Sequence, residues 1–162
     1  MNTVLTGVIL GSKAQTFVAT VGTDIVIKTL TTTTSSIGSA ISYLTTNTKP
    51  GANDITNTLT ELDLEFTVNI IGSVIKEYEE KELSTSIKKV ILGVNEVLES
   101  IHKELNVIKD AIEYHNSKYL KSWRSFSWNG NMDNIKKHNE VLKSRYQMLL
   151  DLLKIYNQTN RN

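Results

Sequence analysis

Few side chains in this 162-residue chain are placed for chemistry, and the sharpest pair is Glu99 and His102. Residues three apart share a helix face, and a Glu-x-x-His step supplies ligands in carboxylate-bridged metal bundles. Such centres need a second step of the same kind and two further carboxylates. His115 and His138 have isoleucine three residues before them, not glutamate, so the set is incomplete. The pair therefore reads as a solvated helix face. His115 falls on an apolar helical register, where a hydrogen-bonded bundle histidine is the plain reading, and His138 beside Lys136 and Lys137 reads as surface.

The other catalytic patterns fail on spacing. "GVILGSK", Gly7 to Lys13, has the outline of a phosphate loop, but only three residues separate its glycines and Ser12 precedes the lysine. A true loop needs four residues there and lysine directly after the second glycine. What Gly7 and Gly11 do offer is a small-xxx-small step, a candidate for close helix contact. The chain has no cysteine, which removes disulfides, thiolate metal sites and thiol nucleophiles together. No nucleophile elbow, dinucleotide glycine pattern, zinc-protease motif or calcium loop occurs. We expect no catalytic residue, no cofactor and no metal site.

"KYLKSWRSFSWNGN" is the most distinctive segment. Lys118, Lys121 and Arg124 recur every third residue, interleaved with Tyr119, Trp123, Phe126 and Trp128. Mixed basic and aromatic side chains can stack on bases or sit at a lipid interface. They also suit the centre of a protein contact. The plainest role is to seal the end of a helical bundle, so we read the segment as a seal and a candidate interaction patch. Asn157-Gln158-Thr159 matches a glycosylation sequon, which we read as chance because no signal peptide is evident.

These residues must be held by helices. From Ile87 to Tyr119, apolar or aromatic residues fall at alternating steps of three and four: Ile87, Ile91, Val94, Leu98, Ile101, Leu105, Ile108, Ile112 and Tyr119, with His115 in the same register. This spacing predicts a long helix near 86–121, about 50 Å in length at 1.5 Å per residue. A compact domain of this size has a radius of gyration of only about 15 Å, so the molecule should be elongated. After the turn at Trp128-Asn129-Gly130-Asn131, the residues Ile135, Leu142, Tyr146, Leu149, Leu153 and Tyr156 predict a second helix near 133–157. Asn131 or Asp133 is its candidate cap, and the short connection makes it antiparallel to the first.

Upstream, Pro50-Gly51 marks a break. Ile55, Leu59, Leu62, Phe66, Ile70, Val74 and Tyr78 form one further apolar stripe. A turn is expected at 83–86, with Ser84 as its cap, in preference to one continuous rod. Residues 1–50 are ambiguous. "TDIVIKTL" alternates like a strand, and the run Thr31 to Thr34 is β-branched. Yet Leu30, Thr34, Ile37, Ile41 and Leu44 hold helical spacing, as do Ala14, Val18, Val21 and Ile25, so helix is the better reading.

Composition bounds the function. Residues 1–60 carry five charged side chains and residues 61–162 carry thirty. The net charge of +1 gives no overall electrostatic case for nucleic acid or an anionic membrane. Twelve of the twenty uncharged residues from Thr29 to Thr48 are serine or threonine, too polar for an ordinary membrane span. Lysine outnumbers arginine fifteen to three, and asparagine and isoleucine are abundant. This is the usage of an AT-rich genome, as in a large DNA virus, a protist or an AT-rich bacterium. We expect a single all-α domain, an elongated bundle of about four helices without a signal peptide, in a reducing compartment. Its expected role is non-enzymatic, structural or interaction-based, through self-association or a larger assembly such as a virion or scaffold. The alternative is a membrane-active bundle whose segment 4–44 inserts.

Overall fold

The computed structural model describes residues 22–47, 53–117 and 128–160. It is all-α: α1 (Thr23–Asn47), α2 (Asn53–Glu61), α3 (Leu64–Lys76), α4 (Thr85–Ser117) and α5 (Asn129–Thr159). The 33 residues of α4 and 31 of α5 are about 50 and 46 Å long, so the bundle is elongated as expected.

The threonine-rich stretch is helical, and magnitudes show why. Four threonines at 31–34 cost roughly 2–3 kcal/mol relative to better helix formers. Leu30, Ile37, Ile41 and Leu44 are all but fully buried, which stabilises by roughly 6–12 kcal/mol as an upper estimate. The hydroxyls are satisfied locally. Thr29, Thr33 and Ser36 donate to the carbonyls of Ile25, Thr29 and Thr32 at 2.8–3.0 Å, each four residues back. Thr34 donates to Thr31. Polar side chains thus cover the helix without needing outside partners. The upstream register does not continue cleanly, because Ile25 is exposed while Val26 and Ile27 are buried. Ala14, Val18 and Val21 lie outside the described residues.

Four rods pack side by side. Gly72 on α3 meets Thr34 on α1, and Asn69 approaches Gly38, so these two helices run antiparallel. An alanine methyl at Gly72 would lie 2.7 Å from Thr34 Oγ1, so the absent side chain sets how near the helices come. α1 runs parallel to α4: the Leu83 amide donates to buried Thr23 Oγ1 at one end, and Lys109 Nζ lies 5.2 Å from the Tyr43 ring at the other. α5 runs antiparallel to α4, as expected, and parallel to α3. The fold is therefore two antiparallel hairpins stacked with like directions adjoining. The stripe from Ile87 to Ile112 is buried throughout and forms the common core with α1, α3 and α5.

Two boundaries repay comparison. The turn before α4 is present, and Ser84 Oγ accepts from the Ile87 amide at 3.4 Å. The stripe from Ile55 to Tyr78, expected as one helix, is two. Asp63 adopts a left-handed conformation (φ 51°, ψ 36°) between α2 and α3. The core register steps from Leu59 to Leu64 across this kink and continues through Val68, Ile71 and Ile75. Phe66 and Ile70, expected inside, are turned out to solvent. Asn139 on α5, itself buried, donates to the freed Leu62 carbonyl at 3.4 Å and holds the kink against the bundle.

Candidate interaction surface

The two members of the Glu-x-x-His pair each meet an asparagine of their own helix. Glu99 Oε1 accepts from Asn95 Nδ2 at 2.8 Å, while Asn106 Nδ2 lies 3.1 Å from His102 Nε2. Among the described residues no three histidine or acidic side chains gather as a metal site. Partial burial holds the His102 imidazole below its usual pKa of 6.5; Glu99 opposes that shift and Lys109 adds to it. On α1, burial, the charge of Glu113 and its hydrogen bond raise the Tyr43 hydroxyl above 10.0.

Of the basic-aromatic segment, Lys118, Tyr119, Lys121, Trp123, Arg124 and Phe126 lie outside the described residues, as do Gly7 and Gly11. Trp128 is half-buried and packs on the core at the start of α5. The expected cap of α5 is not formed. The helix begins at Asn129, and Trp128 makes no capping bond through its side chain. Asn131 instead donates to Glu104 Oε2 at 2.7 Å, and Asn134 to Oε1 at 3.1 Å. The helix starts at Asn129, so Asn131 and Asp133 lie inside its first turn and not at the cap position, and the Glu104 carboxylate of α4 takes the side-chain amide hydrogens of Asn131 and Asn134. Asn157 of the sequon lies within α5, where its amide donates to Tyr78 Oη at 2.8 Å. The Tyr78 ring meets Tyr156 edge-on at 6.1 Å and carries Lys81 Nζ 4.3 Å from its centroid.

Among the described residues, exposed apolar side chains recur at regular spacing on α4 and on α5. Arg145 fixes these helices together: its guanidinium donates to the Gly93 carbonyl and lies 3.3 Å from Glu96 Oε2. From Gly93, steps of seven along that edge of α4 reach Ser100, Val107 and Tyr114, the last two exposed. On α5, Val141, Met148 and Ile155 also recur every seven residues and are 43%, 55% and 59% exposed. Seven residues fall about 20° short of two turns, so the three drift by only about 40° and share one face. They were legible as a heptad, but they run beside the core residues Leu142 and Leu149 and the half-buried Tyr156, and only the packing tells which stripe is covered.

No protein-family pattern matches the chain, and no solved structure matches it. A 66-residue stretch is 30% identical to uncharacterized protein L717 of Acanthamoeba polyphaga mimivirus. The match covers 41% of this chain and 32% of that protein, so the chain aligns with about a third of its relative's length. The similarity is to a viral protein, in keeping with the viral source among those the residue usage suggested. Among the described residues, no helix is long and apolar enough to cross a membrane.

Proposed function

We propose that the protein is a non-enzymatic structural or interaction component that works through helix packing, within a homo-oligomer or a larger assembly such as a virion or scaffold. The exposed heptad row of Val141, Met148 and Ile155 on α5 carries this reading. Single exposed apolar residues are ordinary, but apolar side chains repeated along one face are characteristic of contact surfaces. The similarity to a mimivirus protein supports a viral setting. Light scattering with small-angle X-ray scattering tests the proposal. A particle mass at a multiple of 18.2 kDa is expected. A monomer at every concentration up to the solubility limit would overturn the self-associating form.

A further inference from the structure

We infer that α5 pairs with the α5 of a second copy, antiparallel about a two-fold axis that passes the helix between Gln147 and Met148. This rests on the self-association proposed above and specifies its surface. The exposed face of α5 is self-complementary. With the axis there, Met148 meets its own copy, and Val141 faces Ile155 of the second copy; all three are exposed apolar residues. The neighbouring rows then match without adjustment. Glu140 faces Lys154 of the second copy, and by symmetry Lys154 faces its Glu140. Ser144 faces Asp151, its hydroxyl positioned to donate to that carboxylate, and Gln147 meets Gln147. Every one of these polar side chains is exposed in the single chain. Asp151 accepts from Gln147 Nε2 at 3.2 Å through one oxygen, and a carboxylate has capacity for further donors. In an antiparallel helix pair, like sides face one another, so both copies of each match form together and no like charges are opposed along these rows. A parallel pairing would instead stack Asp151 near Asp151 along the seam. The apolar row gives the contact area, and the charge pattern selects direction and register.

The test uses the full chain in sedimentation velocity and light scattering, with circular dichroism as a folding control. Met148→Glu places two carboxylates together at the axis and is expected to weaken association by about tenfold or more. Glu140→Lys and Lys154→Glu, both at exposed positions, each oppose like charges and should weaken it too. The double exchange, Glu140→Lys with Lys154→Glu, should restore it to near the original strength. A wild-type chain that stays monomeric overturns both this inference and the self-association it rests on. A wild-type chain that associates while Met148→Glu associates equally well overturns only the α5 surface. If Met148→Glu weakens association but the double exchange does not restore it, the antiparallel register is wrong.

Discussion

Replacing Gly72 with alanine probes the closest helix approach in the bundle. The added methyl would sit 2.7 Å from Thr34 Oγ1 and 3.4 Å from Thr34 Cβ. Thr34 cannot easily give way: it is buried, and its hydroxyl donates to the Thr31 carbonyl at 2.9 Å. Rotating it about χ1 exchanges the oxygen for the γ-methyl and sacrifices that bond. α1 and α3 must therefore move apart. Two effects compete. Alanine gains about 1 kcal/mol over glycine in a helix interior, whereas overpacking a tight contact costs about 1–3 kcal/mol. At the upper end of that cost, where a 2.7 Å approach belongs, the net loss is about 1–2 kcal/mol. For a chain of this size that lowers Tm by about 2–8 °C. Urea denaturation of Gly72→Ala, Thr34→Ala and the double variant completes a cycle. With Oγ1 and the γ-methyl gone, the Gly72 change should become neutral or stabilising, and the coupling should reach at least about 1 kcal/mol. A Gly72→Ala protein as stable as the wild type, or one equally perturbed in both backgrounds, would refute the close approach.

Three further outcomes follow. At Asp63, glycine should be tolerated, while isoleucine should cost about 1–2 kcal/mol by urea denaturation, because a β-branched side chain resists φ near 51°. His102 has a folded pKa below its unfolded value of 6.5, so the unfolded chain binds more protons as pH falls. Its contribution is fully present above pH 6.5 and is lost as pH drops through the lowered value; His102→Gln should flatten the stability profile in that window. Finally, liposomes should retain an entrapped dye when the full chain is added, since insertion of α1 would strip Leu30, Ile37, Ile41 and Leu44 from their core contacts. Leakage that is lost on deleting residues 1–50 would favour the membrane-active alternative.

The helices legible from sequence were those whose apolar spacing is long and uninterrupted. The α4 stripe is buried from Ile87 to Ile112 because eight aliphatic residues in register leave little choice of face. In α1 the same logic prevailed over threonine propensity, since Leu30, Ile37, Ile41 and Leu44 keep register through the polar run. The kink at Asp63 was not legible. Neither glycine nor proline marks it, and the step from Leu59 to Leu64 is visible only as a misfit: continuing by fours leads to Phe66 and Ile70, which the fold turns outward. Bonds between distant segments were equally hidden, such as Arg145 to Gly93 and Asn139 to Leu62. Nothing in the local sequence tells an arginine or asparagine which carbonyl it will meet. For the same reason Asn131 looked like a cap, although Glu104 holds its amide.

The uneven charge now has a structural meaning. In α1, Thr29, Ser36 and Ser39 return their hydroxyls to carbonyls of their own helix, so that face offers few free donors. It carries no charge between Lys28 and Lys49. A partner approaching it would find little to fix orientation. The opposite holds on α5, where Val141, Met148 and Ile155 stand among Glu140, Lys154 and Asp151 on exposed positions. Apolar area contributes affinity without direction, and charges placed beside it exclude wrong registers. One hairpin thus uses small, self-satisfied residues for close internal packing. The other combines apolar area with patterned charge, and it is the surface proposed above for a second chain.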